Sequence, residues 1–131
     1  MDELKLIAEA YEAKKNSYAP YSNFHVGAAL LTAEGKIYRG CNIENAAYSP
    51  TNCAERTAFF KAVSEGEKNF IAIAIVGDKE EYVTPCGVCR QVMQEFCDEN
   101  TFQIILAKNK NDYQIYSLKE LLPGAFSRKN L

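Results

Sequence analysis

At 131 residues, with 47% apolar and 24% charged side chains, the chain is sized for one globular domain with a real core. A formal net charge of −2 argues against a polyanionic partner, which calls for a basic face. No apolar run approaches the roughly 20 residues of a membrane span, and Met1-Asp2-Glu3-Leu4-Lys5 lacks the apolar stretch of an export signal.

Residues 2–15 place Leu4, Ile7, Ala8 and Tyr11 at helical spacing, with Lys14 and Lys15 near the C-terminal end, which predicts an amphipathic helix. Pro20, Ser22 and Asn23 mark a loop over 16–23. Residues 25–33 are mostly apolar and read as a strand buried on both faces. Glu34-Gly35 turns the chain, and 36–42 return as a second strand. A loop over 44–52 leads to a helix over 53–65, with Ala58, Phe59, Ala62 and Val63 inward and Gly66 as its stop signal. Ile71 to Val76 has the length and apolarity of a central strand. After a loop over 77–85, residues 86–97 form a third helix with Val88, Val92 and Phe96 along one side. Strands over 103–107 and 113–117 flank a turn at 109–112. A short helix over 118–122 stops at Pro123-Gly124, and the tail from Ala125 reads as irregular. A hairpin followed by alternating helix and strand predicts an α/β fold, a mixed sheet with helices on both faces.

Five cysteines without an export signal point to a reducing cytoplasm, where metal binding or catalysis is favoured over disulfides. Cys53-Ala54-Glu55-Arg56 and Pro85-Cys86-Gly87-Val88-Cys89 together supply three thiols and one carboxylate. Three thiolates can hold zinc at about 2.3 Å per bond and leave one tetrahedral position open. Water at such a position ionises near about pH 7 instead of about 15.7. Glu55 follows the first thiol by two residues, so one turn of helix can set it beside that position. Both cysteine groups begin predicted helices, whose N-terminal partial charge lowers thiol pKa values. Arg56 is the cation placed to offset the formal charge of three thiolates on Zn²⁺. A closed structural zinc site or plain buried thiols are the alternative for the cysteines, and a solvated helix charge is the alternative for Arg56. Cys41 and Cys97 read as small buried apolar residues. His25, the single histidine, falls in a predicted strand away from the motif and reads as a packing or surface residue. Lys108, Lys110, Arg128 and Lys129 are too sparse for a nucleic-acid patch.

The spacing Cys-x-Glu followed by Pro-Cys-x-x-Cys resembles the zinc deaminase signature, in which the Glu is not a ligand. The rest of the chain resembles the cytidine deaminases of the small, homotetrameric, all-cysteine type. The segments that carry this are 18–24 (Tyr-Ala-Pro-Tyr-Ser-Asn-Phe), 26–30 (Val-Gly-Ala-Ala-Leu), 40–48 (Gly-Cys-Asn-Ile-Glu-Asn-Ala-Ala-Tyr), 53–58, 85–91 and 121–126 (Leu-Leu-Pro-Gly-Ala-Phe). The zinc motif alone marks the wider superfamily. The Asn-Ile-Glu-Asn and Leu-Leu-Pro-Gly-Ala-Phe segments are more specific, and the match runs along nearly the whole chain in order.

That resemblance implies one domain over 1–131, folded as a three-layer sandwich with a mixed five-stranded sheet between helices. It implies one zinc per subunit on Cys53, Cys86 and Cys89, with Glu55 as proton shuttle and Arg56 easing the charge of the thiolates. The Ala54 backbone would bind the pyrimidine edge, Asn42 and Glu44 the ribose 3′-hydroxyl, and Phe24 would line the pocket. Ala46, Tyr48 and Phe126 would approach the site from neighbouring subunits of a homotetramer. The implied reaction, in pyrimidine salvage, converts cytidine and 2′-deoxycytidine to uridine and 2′-deoxyuridine plus ammonia. Zinc-held hydroxide would attack C4 while Glu55 moves the protons. The substrate is then a free pyrimidine nucleoside in the cytoplasm, with no nucleic acid and no membrane involved. Another aminated nucleoside, a nucleoside antibiotic, or a non-catalytic structural zinc module are the alternatives. Pro50 stands where relatives carry an apolar residue such as Met or Leu, and His25 and Val88 fall at variable positions; these touch loop shape and remove no catalytic group.

Overall fold

The Asp2 side chain accepts a hydrogen bond from the Lys5 N–H and starts α1 (Glu3–Lys14). A loop then leads into β1 (Gly27–Thr32), which turns through Gly35 into β2 (Ile37–Cys41). After a second loop come α2 (Ala54–Ser64), β3 (Phe70–Val76), α3 (Gly87–Phe96), β4 (Gln103–Ala107), β5 (Tyr113–Ser117) and the short α4 (Leu118–Leu121). This computed structural model describes all of residues 1–131.

The five strands form one sheet in the order β2-β1-β3-β4-β5. β1 runs antiparallel to both β2 and β3, β4 runs parallel to β3, and β5 antiparallel to β4. The parallel β3–β4 pair needs a crossover, and α3 provides it. Period-two alternation sorts the side chains. Leu30, Ile73, Ile75, Ile104 and Leu106 face α2, α3 and α4, around Phe59 and its aromatic neighbours Phe70, Phe96 and Phe102. Ala29, Ala72, Ala74, Val76 and Ile105 face α1, which covers that side through Leu6, Ile7 and Ala10. The fold is therefore the expected α/β sandwich, helices on both faces of a mixed five-stranded sheet.

Two glycines set how closely the helices sit. A Cβ at Gly27 would lie 2.0 Å from the Ala10 carbonyl oxygen, and one at Gly40 would lie 2.3 Å from that of Ala54. The second contact fixes the start of α2 against β2, and so the height of Cys53 and Glu55 above the sheet edge.

Several sequence expectations shift in detail. α1 buries Leu6, Ile7, Ala10 and Ala13, while Leu4 and Ala8 face out. The small residues on the facing side of the sheet let that stripe approach closely. In α3 Cys89 and Met93 are buried and Val92 and Phe96 pack half-buried against the same core, as expected, while Val88 is exposed. His25 precedes β1, because its N–H goes to the Asp78 carboxylate and not to a strand ladder. The tail carries a single 3₁₀ turn at Arg128–Asn130, capped by Ser127. No helix is long and apolar enough to cross a membrane.

Candidate active site

Cys53 is the N-cap residue of α2 and Cys86 that of α3, and neither thiol is spent on a capping hydrogen bond. Cys89 lies in the first turn of α3 and is buried. The three sulfurs lie within 4.8 Å of one another, with Cys53–Cys86 at 3.8 Å and Cys86–Cys89 at 3.4 Å. A tetrahedral ion with 2.3 Å bonds holds its sulfurs about 3.8 Å apart, so this triangle fits zinc. The cluster gathers three donors and no fourth Cys, His, Asp or Glu. Cys41 sits at the end of β2 and Cys97 caps the C-terminal end of α3, each with its thiol pushed up by burial. Three ligands with one open position is the catalytic pattern of protein zinc sites.

The electrostatics localise one negative charge. Hydrogen bonding from Cys89, then from Arg56 and Cys86, draws the Cys53 thiol down to about 5 against the effect of burial. Cys89 moves the other way, held up by its contact with Cys53 and by burial. Arg56 Nη2 donates to Cys53 Sγ at 3.3 Å. Burial works against that guanidinium's charge, and its contacts with Cys53 and Cys89 outweigh burial. Glu55, the second residue of α2, is 4% exposed, and burial with the nearby Cys53 charge pushes its carboxyl up to about 7. A carboxyl poised there both gives and takes protons near neutral pH.

A pocket of ≈ 270 Å³ opens beside these groups. Of the residues singled out from sequence, Phe24, Asn42, Glu44, Cys53, Ala54, Glu55 and Cys86 all line it. Tyr48 does not; it borders an adjoining pocket with Tyr21, Ser22, Glu44, Asn45 and Thr51. Ala46 and Phe126 line neither, and Phe126 is 60% exposed. Sequence reasoning gave no role to Ser22, Val26, Thr51, Asn52, Val83 and Thr84, which complete the wall. Adjacency was the available signal for four of them: Thr51-Asn52 precede Cys53, and Val83-Thr84 precede Pro85-Cys86.

Asn42 and Glu44 are held by the fold as well as facing the pocket. Asn42 Oδ1 accepts from the Val26 N–H at 2.9 Å and from the Ser17 hydroxyl, and its Nδ2 donates to Phe24 O at 2.8 Å. Glu44 Oε1 accepts from the N–H groups of Tyr21 and Ser22 at 3.0 and 3.1 Å, and Oε2 accepts from the Ser22 hydroxyl. Those Ser22 and Tyr21 bonds keep the Glu44 carboxyl below its ordinary value. After these bonds Asn42 keeps one free N–H and Glu44 one free acceptor site.

Residues 1–105 match the family model described as the cytidine and deoxycytidylate deaminase zinc-binding region. A cytidine deaminase of Sporosarcina psychrophila is 56% identical over 131 residues, spanning 100% of this chain and 96% of that protein. A probable cytidine deaminase of Dictyostelium discoideum is 46% identical, over 97% of this chain and 85% of its own. The crystal structure of cytidine deaminase from Burkholderia pseudomallei superposes with a TM-score of 0.91 at 48% identity, covering 96% of this chain and all of that one. The chain belongs to the cytidine and deoxycytidylate deaminase zinc-binding family, and zinc is the metal that its cysteine cluster fits.

Proposed function

From that membership and the geometry of the pocket, we propose that the protein hydrolyses cytidine and 2′-deoxycytidine to uridine and 2′-deoxyuridine plus ammonia. The observation that carries the reading is the buried Glu55 carboxyl, two residues on from the first thiol of a three-thiol cluster on a pocket wall. Zinc on Cys53, Cys86 and Cys89 would supply the Lewis acidity that makes water nucleophilic near neutral pH. Glu55 takes the proton from that water and delivers it to N3 of the pyrimidine as C4 is attacked. It then takes the proton of the new C4 hydroxyl and passes it to the amino group, so that ammonia leaves, the C4 carbonyl forms and one carboxyl works as base and as acid. The Ala54 backbone at the start of α2 meets the pyrimidine edge, and the Phe24 ring packs on the base. Arg56 holds the charge that the thiolates accumulate.

The sugar end follows from the hydrogen bonds that remain. A hydroxyl needs one acceptor and offers one, and the pocket has one free donor on Asn42 and one free acceptor on Glu44. That pairing suits the 3′-hydroxyl of a ribose or deoxyribose. No Lys or Arg lines the pocket, so a free nucleoside suits it better than a phosphorylated one.

We extend the proposal to a homotetramer of single-domain subunits (residues 1–131) acting in the cytoplasm, with Ala46, Tyr48 and Phe126 completing neighbouring sites. Its support is the exposure of large apolar side chains away from their own pocket, Tyr48 at 74% and Phe126 at 60% among them. Sedimentation of a fully active monomer would defeat it.

Cytosine absorbance, followed in zinc-loaded protein mixed with cytidine, tests the chemistry. The expected result is rapid loss in the native protein and at least roughly a 10²-fold slower loss in Glu55→Gln, with zinc retained. Near-native turnover in that variant would reject the shuttle. Equal kcat/KM for cytidine and 3′-deoxycytidine would reject the roles given to Asn42 and Glu44.

A further inference from the structure

The Phe24 wall of the pocket stands on a segment that belongs to no strand. Residues 22–26 lead into β1, and side chains hold their backbone groups. The Phe24 N–H donates to Ser22 Oγ at 3.1 Å, Phe24 O accepts from Asn42 Nδ2 at 2.8 Å, and the Val26 N–H donates to Asn42 Oδ1 at 2.9 Å. Ser22 and Asn42 are pocket residues. The His25 N–H is bound from outside the pocket, by Asp78 Oδ2 at 2.6 Å.

Asp78 follows β3, and it is itself braced. Lys14, in the last turn of α1, places its ammonium 3.2 Å from Asp78 Oδ1 and donates to Gly77 O at 3.1 Å. His25 Nδ1 lies 2.8 Å from Asp78 Oδ2, so one carboxylate receives the backbone and the ring of the same residue. The neighbouring Gly77 lies against the Phe24 ring. A Cβ there would stand 3.0 Å from Phe24 Cζ and 2.6 Å from Val83 Cγ2. Two consecutive residues of one loop therefore hold the backbone after Phe24 and leave room for its ring.

We infer that Asp78, braced by Lys14, is a positioning residue for the nucleoside pocket, fixing the 24–25 backbone so that the Phe24 ring stands in place to receive the base. The inference rests on the functional reading above. It gives the ion pair between α1 and the loop after β3 a consequence for binding, and it gives His25 a place in the pocket's support. Because Asp78 touches neither the thiols nor Glu55, its loss acts on substrate binding and leaves the chemical step alone.

The test is a double-mutant cycle on the zinc-loaded protein with Asp78→Ala, Phe24→Ala and the pair, reading KM and kcat for cytidine. Asp78→Ala is expected to raise KM roughly tenfold, the effect of one lost charge-assisted hydrogen bond, with kcat within about twofold and zinc content unchanged. In the Phe24→Ala background the same substitution is expected to change KM by less than about twofold, because the group it acts through is gone. Should Asp78→Ala not fold, Asp78→Asn, which keeps one oxygen for the His25 N–H, takes its place with an expected rise of about threefold. An unchanged KM, or an equal rise with and without Phe24, overturns the inference while the functional reading stands. Absence of cytidine turnover in the unaltered zinc-loaded protein overturns both.

Discussion

The carboxyl at position 55 makes stability depend on pH in a way that isolates it. Glu55 is 4% exposed, and burial with the adjacent Cys53 charge raises its pKa from 4.5 in the unfolded chain to about 7 in the metal-free fold. A raised carboxyl pKa means that the folded state binds more protons than the unfolded state between those two values. The free energy of unfolding therefore falls as pH rises through that window. The full difference, at about 1.36 kcal/mol per pH unit, is about 3 kcal/mol at pH 8 and shrinks to a few tenths at pH 4. Glu55→Gln keeps the shape and removes the titration. Shifted groups that do not touch Glu55, Glu44 and Asp78 among them, are present in both proteins and cancel in the difference. Cys53 and Cys89 interact with Glu55, and their response to its loss is part of the difference. Urea unfolding of the zinc-free protein and of Glu55→Gln, followed by circular dichroism in reducing buffer from pH 4 to 8, gives the two curves. The expected outcome is a variant that gains on the native protein by about 3 kcal/mol across that range, with the gain concentrated between about pH 4.5 and 7. A difference that stays flat with pH would mean that the Glu55 carboxyl is solvated in the fold, and the argument for a poised proton carrier would fail with it.

Other consequences are sharper in a single number. Phe59 is fully buried against Phe70, Phe96 and Phe102, so Phe59→Ala should lower unfolding free energy by about 3–5 kcal/mol, read as a lower urea midpoint at unchanged slope. Gly40→Ala drives a Cβ to within 2.3 Å of the Ala54 carbonyl oxygen and should displace the start of α2. The expected loss is about 1–3 kcal/mol, together with faster zinc release to a chelator; zinc release at the native rate would show that the helix start yields without moving Cys53. Arg56→Gln removes the guanidinium 3.3 Å from Cys53 Sγ. In the metal-free protein the ionisation of Cys53, now about 5, should rise by roughly one to two pH units, read from the pH dependence of its alkylation; an unmoved profile would leave Cys89 and the helix end as sufficient causes.

The elements of the fold were legible because each carries a periodic signal that tertiary packing respects. β4 and β5 fall at 103–107 and 113–117, where alternation and the intervening turn put them, and α2 and α3 begin within a residue of the cysteines taken as their starts. Helix phase was less legible. Leu4 and Val88 are as apolar as the residues that α1 and α3 bury, and only the shape of the opposing sheet face decides which stripe turns inward. The thiol cluster announced itself through spacing, and the proton carrier proposed at Glu55 did so as well, since a metal ligand set with a carboxylate two residues on leaves a mark in one dimension.

What the sequence hid is the support of the pocket, and the reason is physical. The backbone groups of Phe24, His25 and Val26 are held by side chains 16 to 53 positions away, with Ser22 the one local exception. Such a bond needs only an acceptor of the right type somewhere in the fold, so it imposes no period and no fixed offset. Asp78 in a loop reads as a solvated turn residue, and Asn42 at a strand end reads as a cap. Asn42 and Glu44 show why that reading is incomplete. Each spends all but one of its hydrogen-bonding positions on the loop that carries Phe24, and the positions left over are complementary to one hydroxyl. On the proposed function, holding the loop and recognising the sugar are one act. A substitution such as Asn42→Ala would remove the ribose contact and also free the backbone on both sides of Phe24. Weakened sugar recognition and weakened base packing should therefore appear together in it, whereas Asp78→Ala should weaken base packing alone. The two variants differ in their discrimination between cytidine and 3′-deoxycytidine: Asn42→Ala should lose it, and Asp78→Ala should keep it.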